Sequence, residues 1–209
     1  MKNSIFILLF FVSLASCRSQ TENPEPKVHI GGPCEGCEAI FEYGQKTLTS
    51  TDTLPDFQQN EPKLKITGTV YQKDGKTPAE NVILYIYHTN REGIYETRGH
   101  EKGWGKRHGF IRGWVKTDLN GSYTFFTFRP AAYPNGREPE HIHMTVKEPD
   151  RNEYYVDPIM FIDDPILIES EKQNLKIRAG SGIVELKKEN GIKTARRDLI
   201  LGLNIPDYN

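Results

Sequence analysis

An excess of charge of either sign is missing from this sequence. Its 27 Lys and Arg stand against 28 Asp and Glu, a formal net charge of -1. No global field therefore draws it to nucleic acid or to an acidic polymer. Cysteine is scarce: there are three, at positions 17, 34 and 37. No second closely spaced pair accompanies Cys34 and Cys37, so a four-cysteine zinc site is excluded. No internal repeat and no long amphipathic helical pattern is present. The longest clear apolar run, Ile5 to Val12, is short for a membrane span. What remains is an ordinary composition, 36% hydrophobic and 26% charged, over 209 residues. That length suits one sizeable domain with a single core.

The first residues carry an export pattern. Lys2 precedes the apolar run, and Ser13-Leu14-Ala15-Ser16-Cys17 follows it. A basic residue, a short apolar region and small residues describe a secretory leader over residues 1–16. Leu14-Ala15-Ser16-Cys17 resembles the bacterial lipobox, which makes Cys17 the lipidated first residue of an exported protein held at a membrane. Residues 17–62 read as a tether and an irregular segment, with Pro24, Pro26, Pro55 and Pro62. Cys34 and Cys37, in Gly31-Gly32-Pro33-Cys34-Glu35-Gly36-Cys37, admit a redox pair, half a metal site or a local disulfide. The disulfide needs no further residue, and export favours it.

From residue 63 to 209 the pattern is that of strands. Leu64, Ile66 and Val70 alternate with polar residues, and Val82 to Tyr87 is continuously apolar and aromatic. Trp114–Thr117, Ser122–Phe128, His141–Lys147 and Tyr154–Ile162 follow, the last broken by Pro158 and so an edge or a bulge. Leu175–Ile177, Gly182–Lys187 and Arg197–Leu201 complete the set, after a short helix expected from Asp164 to Gln173. Asp74-Gly75, Asn120-Gly121 and Asn190-Gly191 are turn signals. The expectation is an all-β domain, a β-sandwich of mostly antiparallel strands. A long loop from Thr89 to Arg112 interrupts it, and loops of that length are usually functional.

Chemistry concentrates between residues 133 and 143. If His141-Ile142-His143 is extended, both imidazoles point to one side, a common way to hold a transition metal. Tyr133 precedes them, and Tyr95 lies in the long loop. A phenol of pKa ~10 becomes a ligand at neutral pH only beside a strongly Lewis-acidic metal, for which Fe(III) suits better than Zn(II).

Four ordered motifs carry a resemblance. They are Gly93-Ile94-Tyr95; Arg112-Gly113 with Thr117-Asp118-Leu119-Asn120-Gly121-Ser122-Tyr123; Pro130-Ala131-Ala132-Tyr133-Pro134; and His141-Ile142-His143. Together they resemble the intradiol ring-cleavage dioxygenases, the family of the catechol and protocatechuate 3,4-dioxygenases. The resemblance implies a β-sandwich and a ferric ion, Fe(III), held by Tyr95, Tyr133, His141, His143 and a hydroxide. It implies a catechol-type diol and O2 as substrates, with Tyr133 leaving the metal to act as base and the ring opening between its hydroxylated carbons. In the family's pattern an arginine stands three residues before the first histidine. Here that position is Glu138, and Arg137 is the candidate for the role. The family's later glutamine aligns with Pro158.

Two other readings stand beside this one. Gly68-Thr69-Val70, Asp74-Gly75 and Thr117-Asp118 with Gly121 also resemble transthyretin-like and carboxypeptidase-regulatory-type modules, which are non-catalytic sandwiches. His141 and His143 could instead hold zinc or copper in a hydrolase, which leaves both tyrosines unexplained. The loop residues Arg91, Arg98, Lys102, Lys106, Arg107, Arg112 and Lys116 read either as a cationic mouth for an anionic ring or as a solvated loop. His29 and His88 read as solvated or structural.

Overall fold

The computed structural model describes residues 29–168, 172–173 and 175–209. The expected leader, Cys17 and the first part of the tether lie outside the described residues. Among the described residues no helix is long and apolar enough to cross a membrane.

Among the described residues, eleven strands form two packed sheets. In the first, β1 (Thr51–Thr53), β5 (Ser122–Phe128), β2 (Lys63–Tyr71), β10 (Ile192–Arg196) and β9 (Lys187–Glu189) lie in that order, with β11 (Leu199–Ile200) also on β2. In the second the order is β4 (Arg112–Lys116), β3 (Ile83–Tyr87), β6 (His141–Lys147), β7 (Tyr154–Phe161) and β8 (Ile183–Val184). The long pairings, β2 with β5 and β3 with β4 and β6, are antiparallel, as expected. The strands β1, β8, β10 and β11 add in parallel, and β9 pairs antiparallel with β10 at the edge of the first sheet.

The expected alternation is visible in the burial. Leu64, Ile66 and Val70 of β2 and Tyr123 and Phe125 of β5 face Leu84, Ile86, Val115, Ile142 and Val146 of the other sheet. Each such side chain contributes about 1.5–3 kcal/mol on burial. With Ile142 in this core, His141 and His143 must face outward from the second sheet. The centre therefore stands on the outside of the sandwich.

A second apolar cluster covers that outer face. Ala39 and Ile40 of a 3₁₀ helix (Cys37–Phe41) pack on Tyr85 and Trp114. The Trp114 indole N–H donates to the Ala39 carbonyl at 3.2 Å. Residues 31–62 are thus less irregular than their sequence suggests. They supply this helix and β1, whose Asp52 accepts the Trp114 backbone N–H at 2.9 Å.

The C-terminal expectations need correction. Leu175–Ile177 is not a strand, because Ile177 turns at a positive φ of 54°. The strand expected over Arg197–Leu201 is instead β10 before it and β11 within it. Of the helix expected from Asp164 to Gln173, residues 164–168 turn instead, held by Asp164, which accepts the Ile166 N–H at 2.8 Å, while residues 172–173 are helical as expected. A four-residue helix, α1 (Gly105–His108), lies unexpectedly in the long loop. Pro158 sits at a bulge: Ile142 pairs with Ile159 and Met144 with Val156, so two residues of β7 oppose His143.

Candidate metal centre

Two loops deliver the tyrosines. Asn90 begins the first, its side-chain oxygen accepting the N–H groups of Glu92 and Ile94, each at 3.0 Å. Gly93 follows at φ 77°; a Cβ there would lie 2.1 Å from the Ala132 carbonyl oxygen. Only glycine lets the Tyr95 loop come this close to the Tyr133 loop. Thr89 donates its hydroxyl to the Ala131 carbonyl at 2.7 Å and Arg91 donates to the Arg129 carbonyl at 2.7 Å, which stitches the loops together.

The histidines come from the first residues of β6. The Glu140 backbone N–H donates to Asp164 at 2.6 Å, and the Glu140 carboxylate meets Arg129, which also bonds Asp163 at 2.8 Å. These contacts fix where β6 begins. His141 Nδ1 lies 2.7 Å from the Pro139 carbonyl oxygen. A carbonyl only accepts, so Nδ1 carries a proton and Nε2 is the ring nitrogen turned to the centre.

Four donor atoms converge there. Tyr95 Oη lies 2.6 Å from Tyr133 Oη and 2.8 Å from His143 Nε2, and His143 Nε2 lies 3.1 Å from His141 Nε2. Burial depresses the His143 pKa to about 3, with His141, His108 and His88 adding repulsion. Burial raises both phenols, with Glu138 adding to the effect. Two imidazole nitrogens and two phenol oxygens are thus aimed at one another. That donor set suits a highly charged cation, which would convert the phenols to phenolates and so offset its own charge. Among the described residues no three His, Cys, Asp or Glu side chains gather to hold a metal elsewhere.

A column of rings backs His143. The Tyr87 ring lies 4.5 Å from His143 and 3.8 Å from His108, within 10° and 4° of parallel. Trp104 stacks on His108 at 5.4 Å, and Tyr85 Oη meets His108 Nδ1 at 2.9 Å. Burial, with Arg112 and Arg107 opposing a second positive charge, lowers the His108 pKa to about 4, so the column is neutral near pH 7.

Cys34 and Cys37 are joined as a disulfide. Their loop reaches the centre because Gly36 has no side chain: a Cβ there would lie 2.8 Å from His108 Nε2. Between this loop and β6–β7 is a cavity of 440 Å³ bordered by the disulfide, Glu138, His141, His143, Pro158 and Met160. A second cavity of 320 Å³ lies on the Tyr95 side, bordered by Tyr133, Trp104 and Arg107.

The structure thus brings Tyr95, Tyr133, His141 and His143 together. Arg137 is exposed and lines neither cavity. The loop cations do not converge. Arg98 pairs with Asp56, Arg107 with Glu35, and Arg112 with Glu42 at 2.6 Å. His88 is structural: buried between Thr89 and Thr127, with a pKa lowered to about 4 by that burial. Tyr87 escaped the sequence reading. Its signal is its place in β3 opposite His143, a cross-strand pairing that one strand does not reveal.

A sandwich bearing two tyrosines and two histidines on an outer face matches the intradiol ring-cleavage dioxygenases. The sequence model of the family described as Dioxygenase matches residues 41–188, and the chain belongs to that family. It is 28% identical over 137 residues to the protocatechuate 3,4-dioxygenase beta chain of Burkholderia cepacia, across 60% of this chain and 58% of that one. It is 30% identical over 134 residues to catechol 1,2-dioxygenase 1 of Acinetobacter lwoffii, across 56% and 40%. The chain therefore spans about half the length of these curated relatives. Its fold resembles hydroxyquinol 1,2-dioxygenase from Pseudomonas putida DLL-E4, with TM-score 0.56, 18% identity and coverage of 75% of this chain and 62% of that one. It also resembles the dioxygenase domain of a carbohydrate-binding fusion from Streptomyces sp. SirexAA-E, with TM-score 0.52, 22% identity and coverage of 66% and 79%. Family membership favours the dioxygenase reading over the transthyretin-like one.

Proposed function

We propose that the chain holds Fe(III) through Tyr95, Tyr133, His141 and His143 and cleaves a catechol-type ring with O2. The ring opens between its two hydroxylated carbons. Both oxygen atoms enter the product, a ring-opened dicarboxylic acid, so atoms and electrons balance with no further reductant. The observation that carries this reading is the convergence of two phenol oxygens and two Nε2 atoms, 2.6–3.1 Å between neighbours, beside a ring-sized cavity.

Bound Fe(III) supplies Lewis acidity, which lowers phenol pKa values and draws electron density from a diol ring. The chain's residues do the rest. The Pro139 carbonyl holds His141 in the tautomer that presents Nε2. Tyr87 holds the plane of His143. Tyr133 Oη is the base: burial raises its proton affinity, so as a phenolate it takes a proton from a substrate hydroxyl. Pro158, Met160 and the disulfide wall the cavity with apolar surface, which orients a ring and excludes water.

Oxygen uptake by the iron-loaded chain with catechol, protocatechuate and hydroxyquinol tests the reaction. Stoichiometric uptake with a ring-opened product from at least one diol is expected. Iron-loaded protein that consumes no oxygen with any of them would contradict it. We also propose export with lipid attachment at Cys17. The leader pattern supports this, and the Cys34–Cys37 disulfide suits an oxidising compartment.

A further inference from the structure

We propose that the 440 Å³ cavity selects catechol-type rings whose side chain is cationic, an ammonium-bearing diol, over rings bearing a carboxylate, with Glu138 as the discriminating residue. This rests on the diol-cleaving reading above and deepens it.

Among the described residues, the lining carries two acidic side chains and, apart from the two histidines of the centre, no basic one. Glu35 is occupied by Arg107. Glu138 has no salt-bridge or side-chain hydrogen-bond partner among the described residues. It is exposed and borders the cavity, where a charged ring substituent would meet it. A cation behind the wall is Arg178. It lies under the Tyr155 ring, 3.6 Å from its centroid, and donates to the Gly31 carbonyl at 2.9 Å, so it is not presented to the cavity. The lining also includes Pro139, Pro158, Met160 and the disulfide, whose side chains carry no charge to offset Glu138.

A carboxylated ring would therefore place its anion against an unpaired carboxylate, whereas an ammonium would find a partner there. A rim charge is partly screened, so the effect is moderate: on the order of tenfold between oppositely charged substituents at low salt, and less as salt rises. This is the opposite of the cationic-mouth reading of the loop. The loop arginines that suggested it are each paired with a carboxylate or bonded to backbone carbonyls.

The test uses matched probes on the full chain loaded with ferric iron: 3,4-dihydroxyphenylethylamine, 3,4-dihydroxyphenylacetate and uncharged 4-ethylcatechol. Calorimetry and the visible spectrum, both under anaerobic conditions so that no ring is cleaved, read each dissociation constant. The expected order is amine tightest and carboxylate weakest. The amine-to-carboxylate ratio should be about tenfold, fall severalfold in Glu138→Gln and invert in Glu138→Lys. Arg137→Gln should leave the ratio nearly unmoved. Equal binding of all three probes, carboxylate preference, or a ratio set by Arg137 instead would overturn the proposal while leaving the diol reading intact. Failure to bind any of the three would overturn the diol reading, and this proposal with it.

Discussion

The rings of Tyr87 and His143 lie 4.5 Å apart and 10° from parallel, on paired positions of β3 and β6. Tyr87 stacks still more closely on His108, so one side chain ties an imidazole of the centre to the long loop. The arrangement follows from strand register. Tyr85 and Tyr87 share the outward face of β3 as His141 and His143 share that of β6, and antiparallel pairing sets Tyr87 opposite His143.

Replacing Tyr87 by Leu should loosen both contacts while filling much of the same space. Ferric iron affinity is expected to fall by roughly tenfold or more, as for other residues that orient a metal ligand. Tyr87→Phe keeps the stack and should keep the affinity. Competition with a chelator, followed by absorbance, measures both.

Gly93 should tolerate no side chain. Alanine would bring a Cβ to 2.1 Å from the Ala132 oxygen at φ 77°. The Tyr95 and Tyr133 loops would be forced apart. Gly93→Ala is expected to cost about 2 kcal/mol of stability and to reduce iron uptake. Gly136 is the control: its φ is 63°, and a Cβ placed there would meet no heavy atom within 4 Å. Gly136→Asn should change neither melting temperature nor iron content appreciably.

Acid should destabilise the metal-free fold through His88. Its folded pKa, about 4, lies below the ordinary 6.5 because it is fully buried. The unfolded chain therefore binds the proton more readily between these values. Stability at this site is intact above pH 6.5 and is lost as pH falls toward 4, by about 3 kcal/mol in all. Melting temperature measured from about pH 7.5 to 4 should drop over this window. The drop should be smaller in His88→Gln, whose amide can still meet the Thr127 hydroxyl.

Much of this was legible in the chain. Period-two alternation identified β2 and β6, the Asn120-Gly121 turn marked the start of β5, and alternation fixed the shared outward face of His141 and His143. The break at Pro158 in β7 was readable as an edge or a bulge because proline has no N–H to donate, and the register shows the bulge. Long-range placement was not readable. Leu175–Ile177 has strand-like residues, yet the backbone turns there at φ 54°. The fate of Arg107 and Arg112 depended on Glu35 and Glu42, some 70 residues away, as their pairings record. The Cys34–Cys37 loop looked like a local staple. Its role as a wall of the cavity depends on Gly36 seating against His108, a contact no local pattern announces.

The most direct measurement is metal analysis with a visible spectrum of the chain reconstituted with ferric iron. Ligation by Tyr95 and Tyr133 predicts stoichiometric iron and a phenolate-to-Fe(III) charge-transfer band in the visible. The band should vanish with the metal in Tyr95→Phe and His143→Ala and shift when a catechol is added. A colourless protein that takes up no ferric iron, or a band that survives both substitutions, would contradict it.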